Sequence, residues 1–145
     1  MDPEPPQRCN QGHKKMTTAW HVTCRKHLDG IRQDGLKERS YWATNERVRD
    51  YYVETIQDEG EQPLVIGVPM EILERYNPEP DHPGLEEPLT YTLGMREDEV
   101  WDAWEHTDRS WQACVGLIGS FRLKSSIPAD VIGQHLPQRT APKPR

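Results

Sequence analysis

The chain has 145 residues, a formal net charge of −6 and only 34% hydrophobic residues. This length suits a single domain, and the five tryptophans and five tyrosines argue against a disordered chain. No apolar run approaches the roughly 20 residues that a membrane-spanning helix needs. The first residues also lack the apolar stretch of a secretory signal. We therefore expect a cytoplasmic protein without a membrane partner.

Two close Cys/His pairs lie near the amino terminus. They are Cys9-x3-His13 and Cys24-x2-His27, with ten residues between them. Zinc takes four nitrogen or sulfur ligands tetrahedrally, and a close pair lets one turn supply two of them. The arrangement is similar to small mixed Cys/His zinc modules, although it lacks the second histidine pair of classical fingers and the four cysteines of ribbons. A closed four-ligand site leaves no open position, so we expect structural zinc.

His21 is the rival ligand, because it lies close enough in sequence to replace either histidine. Residues 17–23 alternate like a β-strand, which places His21 on the face opposite Trp20 and away from a core that contains Trp20. Two other interpretations compete with the zinc site. One is a chance grouping of Cys and His in a basic segment, and the other is a Cys9–Cys24 disulfide, which a reducing compartment disfavours.

The clearest helical pattern spans residues 44–58, with Thr44 as the predicted N-cap. Its apolar face follows the spacing i, i+3, i+4 and i+8 and consists of Val48, Tyr51, Tyr52 and Ile56. Shorter apolar or periodic runs predict further elements. These are helices at 24–33, 70–76 and 128–136, strands at 17–23 and 89–93, and a buried strand at 64–68.

From residue 96 onward, seven side chains recur at alternating steps of four and three. They are Val100, Trp104, Thr107, Trp111, Cys114, Ile118 and Phe121. This spacing predicts one long helix, or two helices broken near Asp108, which is a good N-cap. We interpret the stripe as a core-facing helical region. The alternative is a homodimer seam formed by Val100, Trp104, Trp111 and Ile118.

Charge is distributed unevenly along the chain. Residues 1–49 and 110–145 each carry a net charge of +4, whereas residues 50–109 carry −14. The basic side chains around the two Cys/His pairs would attract a nucleic-acid or protein partner; they are Arg8, Lys14, Lys15, Arg25 and Lys26. The acidic middle is most simply a solvated surface.

These features predict an α+β fold with a small mixed sheet, three to five helices and an N-terminal clip that resembles a zinc knuckle. Residues 9–136 are predicted to form one domain between a flexible lead-in at 1–8 and a basic disordered tail at 137–145. Within the domain, the predicted segments are a metal clip at 9–34, a helix-strand-helix unit at 44–76, a Pro-rich loop at 77–88 and an amphipathic helical region at 95–123.

The sequence contains no nucleophile elbow, phosphate-binding loop or dinucleotide fingerprint. Our first hypothesis is therefore a small intracellular binding or regulatory module, stabilised by zinc, that contacts a protein or a nucleic acid. The second is an acidic decoy that inhibits a nucleic-acid-binding protein. The third is a small enzyme that uses His106 or His82 with nearby carboxylates. Without a recognisable reaction motif, the sequence favours a role other than catalysis.

Overall fold

The computed structural model describes residues 17–85, 94 and 96–137. At its centre is a five-stranded sheet with the strand order β3-β1-β2-β5-β4. The strands are β1 (Thr18–Cys24), β2 (Tyr41–Ala43), β3 (Pro63–Pro69), β4 (Pro78–Glu79) and β5 (Ser120–Leu123). The predicted α+β class is confirmed. The predicted mixed sheet is wrong, because every strand pair among the described residues is antiparallel.

Seven α-helices fall within the described segments, more than the three to five predicted. They are α1 (Leu28–Asp34), α2 (Glu46–Asp58), α3 (Met70–Leu73), α4 (His82–Leu85), α5 (Glu97–Glu105), α6 (Trp111–Ile118) and α7 (Ala129–Ile132). Single 3₁₀ turns adjoin α1, α3 and α7, at Arg25–His27, Glu74–Tyr76 and Gly133–His135. None of the helices in these segments is long and apolar enough to cross a membrane.

Two hydrophobic cores lie on opposite faces of the sheet, because successive side chains of a strand alternate between faces. On β2, Trp42 belongs to one core and Ala43 to the other, and both are fully buried. The first core packs α1, α3 and α7 against the sheet through Ile31, Leu73 and Ile132. The second packs α2, α4, α5 and α6 through Val48, Leu85, Val100, Trp104, Cys114 and Ile118.

Strands β1 and β3 form the longest ladder, from the Thr18–Pro69 pair to the Cys24–Pro63 pair. The predicted strand at 17–23 is confirmed within a residue. The predicted strand at 64–68 is also present, but it is an edge strand and is only half buried. Its inward side chains are buried in the first core, whereas Val65 on the other face is 39% exposed.

The N-cap of helix α2 lies one residue later than predicted. The side chain of Asn45 accepts a hydrogen bond of 2.9 Å from the backbone N–H of Val48, so the N-cap is Asn45 and not Thr44. An N-cap side chain satisfies one of the backbone donors that have no partner within the helix. Of the predicted apolar face, Val48 is buried in the second core, and Tyr51 and Tyr52 pack against it.

The long stripe from residue 96 is two helices, not one. Asp108 accepts the Ser110 N–H at 3.0 Å, and the Ser110 hydroxyl accepts the Ala113 N–H at 3.1 Å, so α6 begins after Ser110. Gly119 ends α6 in the left-handed conformation, with φ of +73°. Phe121 therefore lies on β5, although its spacing had suggested a helix.

The predicted homodimer seam is already occupied by contacts within one chain. Val100, Trp104 and Ile118 are each at most 4% exposed, and the ring of Trp111 lies 5.5 Å from that of Phe121. Val100, Trp104 and Ile118 therefore face the core, as the core-facing interpretation predicts, whereas Trp111 is partly buried and a homodimer stays a prediction.

The predicted Pro-rich loop at 77–88 contains both β4 and α4, so its described part is ordered. The predicted helices at 24–33, 70–76 and 128–136 correspond to α1, α3 and α7 with their adjoining 3₁₀ turns. The predicted strand at 89–93, the lead-in at 1–8 and all of the tail after residue 137 lie outside the described residues.

Candidate functional site

A pocket of about 310 Å³ lies where β1 and β2 meet α2 and the start of α4. Most of its walls are aromatic or apolar, with one carboxyl group among them. We call it the tyrosine pocket, and its lining residues are His21, Val22, Tyr41, Tyr51, Tyr52, Asp81, Pro83 and Gly84.

Three tyrosines reach the pocket from two elements. Tyr41 alternates with the buried Trp42 on β2, so it faces the side of the sheet that α2 covers. Tyr51 and Tyr52 are neighbours on α2, with ring centroids 5.4 Å apart and planes inclined at 60°. This edge-on geometry is a favoured arrangement of aromatic rings. Three partly buried rings therefore surround one space.

The side chain of Arg122 fixes the outer end of Tyr41. Its Nε donates to Glu79 at 2.6 Å, and another guanidinium nitrogen donates to the Tyr41 hydroxyl at 3.5 Å. The guanidinium carbon also lies 5.8 Å from the centre of the Tyr41 ring. These contacts hold Tyr41 from the side of β4 and β5, so this wall of the pocket is formed before any ligand binds.

Asp81 supplies the carboxyl group of the pocket and is only 1% exposed. Its Oδ1 accepts the Gly84 N–H at 2.9 Å, and its Oδ2 accepts the Ser120 hydroxyl at 2.7 Å. The first bond caps the start of α4, which is the ordinary structural role of an aspartate at this position. None of the ion pairs among the described residues includes Asp81. Within that part of the chain, a charge on Asp81 is hydrogen-bonded and is compensated only at longer range, chiefly by Arg122, whose positive charge lowers the pKa of Asp81.

Burial dominates the electrostatics around Asp81. It raises the pKa of the Asp81 carboxyl, against the opposing effect of the hydrogen bonds from Ser120 and Gly84. Burial and the nearby Asp81 charge also raise the pKa of the Tyr52 hydroxyl. Burial raises the pKa of the Cys114 thiol to about 12, so this cysteine is an inert core residue that accepts the Asp81 N–H at 3.3 Å.

His21 borders the pocket on β1. Its Nδ1 lies 2.8 Å from the carbonyl oxygen of Tyr41, which can only accept, so Nδ1 must carry the proton and Nε2 is an acceptor in the neutral ring. Burial lowers the pKa of His21, with the Tyr41 carbonyl opposing it. The ring also packs on Trp42 at 5.4 Å. The ring of His21 therefore lies on the face opposite Trp20, as predicted, and packs toward the first core and away from the face that carries the three tyrosines.

The comparisons with known proteins add no family to this picture. No protein-family model, no curated protein and no solved structure matches the chain. The candidate function of the pocket therefore depends on its own chemistry.

The predicted zinc clip is only half visible. Cys24 is half-buried at the end of β1, and His27 is exposed on the adjacent 3₁₀ turn. Cys9 and His13 lie outside the described residues. Within the described segments no three His, Cys, Asp or Glu side chains gather where a metal ion could bind. The four-ligand clip, with His21 as the rival ligand, stays a prediction, as does its structural zinc.

Only part of the predicted basic partner surface lies within the described residues. Arg25 and Lys26 are exposed beside the end of β1, and Lys26 forms a 3.2 Å ion pair with Glu61. Arg8, Lys14 and Lys15 lie outside the described residues. A partner for this cluster stays a prediction.

The two histidines considered for catalysis have structural contacts. His106 is exposed, and its Nδ1 lies 2.8 Å from the Asp102 carbonyl oxygen one helical turn earlier. His82 is also exposed, with its ring edge-on to Trp104 at 6.0 Å. Neither residue lines the tyrosine pocket.

The sequence did not single out the pocket. Tyr51 and Tyr52 were predicted as the apolar face of a helix, and Tyr41 lies on a strand too short for a periodic signal. Asp81 is one of many acidic residues in the middle of the chain. A local signal at the site was Asp81, because aspartate is a favoured residue at a helix N-cap.

Proposed function

We propose that this chain is a binding module that takes an organic cation in the tyrosine pocket. The observation that carries this proposal is the grouping of three tyrosine rings around a buried carboxyl group that has no ion pair among the described residues. The face of an aromatic ring is electron-rich and attracts cations, most strongly where water is excluded. A positive ligand would also compensate the Asp81 charge, which burial otherwise makes costly.

The charge of the lining favours a cation over an anion. None of the eight lining residues is a lysine or an arginine, and the lowered pKa of His21 keeps its imidazole neutral near pH 7. The largely apolar walls favour a cation with carbon substituents, such as an alkylammonium or a pyridinium, over a strongly hydrated metal ion.

The expected affinity for a small probe is modest. A cation over an aromatic face gains about 0.5–2 kcal/mol per favourable contact, which gives a simple cation a Kd of roughly 1 mM. Choline and N-methylpyridinium, titrated into the full chain and followed by NMR shifts of the pocket residues, test this directly. We expect both to bind, and the neutral choline isostere 3,3-dimethyl-1-butanol to bind at least about tenfold more weakly.

Variants of Tyr51 distinguish loss of the aromatic ring from a general loss of stability as the cause of weaker binding. Tyr51→Leu should abolish measurable cation binding, whereas Tyr51→Phe, which keeps the ring, should retain it. Tyr76→Leu is a matched control, because Tyr76 packs against the first core and should not affect the ligand. Equal affinity for choline and its neutral isostere would reject the proposal, since the pocket would then be merely hydrophobic.

A further inference from the structure

The exposed face of α2 carries a row of acidic side chains beside the tyrosine pocket. Glu46, Asp50, Glu54 and Asp58 recur every four residues, and all four are exposed. Like charges at this spacing repel one another and weaken an isolated helix slightly. An acidic row is often only a solvated surface, so a role in binding depends on which other features of the molecule lie beside it.

The members of the row differ in their ion pairing. Asp50 pairs with Arg49 at 3.1 Å, and the Arg49 guanidinium also lies 4.9 Å over the ring of Trp20. Glu54 and Asp58 belong to none of the ion pairs in the described residues. They follow Tyr51 by three and seven residues, which places them on the same side of the helix as this pocket wall.

We infer that the organic cation is an alkylated lysine side chain of a basic peptide, whose neighbouring cationic residues lie along Glu54 and Asp58. This inference rests on the proposed function of the pocket. The tyrosine pocket lies beside the acidic face of α2, whose negative charge complements that of a basic peptide. A peptide whose alkylated lysine enters the pocket would therefore place its flanking basic residues near that face. Alkylation suits the apolar walls because it replaces strongly hydrated N–H groups with methyl groups while keeping the charge.

The test compares two labelled peptides with the full chain by fluorescence anisotropy. Both carry a central trimethyl-lysine, flanked by arginines in one peptide and by glutamines in the other. At low salt we expect the arginine peptide to bind about three- to tenfold more tightly, as two exposed charge pairs would give. The difference should vanish near 1 M salt, where the Debye length is about 3 Å.

Paired variants identify the surface involved. Glu54→Gln with Asp58→Asn should remove the advantage of the arginine peptide and leave the glutamine peptide unaffected. Glu71→Gln with Glu74→Gln removes the same charge from exposed positions on α3 and its adjoining turn, and should leave the advantage intact. An unmethylated version of the arginine peptide should bind more weakly than the trimethylated one.

The outcomes separate the two levels of the proposal. If choline binds but flanking arginines give no advantage, or the control pair removes it equally, the peptide inference is wrong and the cation pocket stands. If the unmethylated peptide binds equally well, the role of alkylation is wrong. If neither choline nor any peptide binds, the proposed function and this inference both fail.

Discussion

The Ser120 hydroxyl donates a 2.7 Å hydrogen bond to Oδ2 of Asp81, and both residues are buried. Ser120 lies on β5 and pairs with Ala43 on β2. The bond therefore ties the carboxyl group of the tyrosine pocket to the middle of the sheet. This position of Asp81 depends on the fold as a whole and not on the loop alone.

Removing the Ser120 hydroxyl should destabilise the protein measurably. Ser120→Ala leaves one oxygen of a buried carboxyl group without its donor, which costs about 1–3 kcal/mol. Urea unfolding at pH 7 measures the change. Ser126→Ala is the control, because Ser126 is exposed and its loss should change the free energy of unfolding by less than about 0.5 kcal/mol. Equal effects of the two substitutions would show that the bond contributes no stability.

Because the pKa of Asp81 is raised, the free energy of unfolding should depend on pH in the acidic range. Unfolded, the carboxyl titrates near its ordinary value of 3.8; folded, it titrates higher. Between these two values the folded state binds more protons, so stability falls as pH rises through this window. Asp81→Asn should remove that part of the pH dependence. The difference in unfolding free energy between the two proteins, measured from pH 3 upward, should shift in favour of the variant by about 1.4 kcal/mol per pKa unit.

The lowered pKa of His21 should make the free energy of unfolding fall as the pH drops, which is opposite to the effect of Asp81. The folded pKa of His21 is lowered from 6.5, so the unfolded state binds more protons between the lowered value and 6.5. Stability should therefore fall as pH drops through this range. His21→Asn keeps a donor for the Tyr41 carbonyl and should flatten the slope. His106→Asn, at an exposed site, is the matched control; a slope unchanged in His21→Asn would contradict the assignment.

The elements that were predictable from sequence are those with a strong local pattern. The alternation at 17–23, the spacing that begins at Val48 and the apolar run at 64–68 each produced the expected β1, α2 or β3. Strands β2 and β5 were not predicted, since three or four residues give too little periodicity and their pairing joins distant parts of the chain. Phe121 fits the helical spacing by position, but the helix ends before it because Gly119 adopts the left-handed conformation.

The candidate site was less predictable than the fold, for the same physical reason. A pocket requires side chains that tertiary structure brings together, and Tyr41, Tyr51 and Asp81 are far apart in sequence. Each has an ordinary local explanation as a strand residue, a helix-face residue or a helix cap. Only their convergence distinguishes them, and a single sequence does not encode it in any short pattern.

Gly35 and Gly30 offer a direct contrast within one helix region. A Cβ at Gly35 would collide with the Ile127 carbonyl oxygen, and its φ of +84° is strained for other residues. Gly35→Ala should therefore destabilise the fold by at least about 2 kcal/mol. A Cβ added to Gly30 on α1 would meet no atom within 4 Å, so Gly30→Ala should stabilise by about 0.5–1 kcal/mol. Thermal unfolding of both variants tests the pair; a stable Gly35→Ala would contradict the close approach of the two segments.

The predicted zinc clip has a test that uses the visible half of the site. If Cys24 is a ligand, the chain purified without chelator should carry about one zinc per molecule, as one four-ligand site requires, and Cys24→Ser should lose it. The loss should also lower the melting temperature, because metal binding contributes to folding free energy.

The strand pairing of β1 limits how far the loss of zinc should lower the melting temperature. Cys24 ends a strand that pairs with β3 along its whole length, so the sheet should persist without the metal. We expect a decrease of a few degrees, at roughly 2–4 °C per kcal/mol, instead of complete unfolding. His82→Gln, an exposed histidine outside the clip, is the control and should retain zinc. Metal-free protein whose melting temperature is unchanged by Cys24→Ser would rule out the clip, and β1 would then be held by its strand pairing alone.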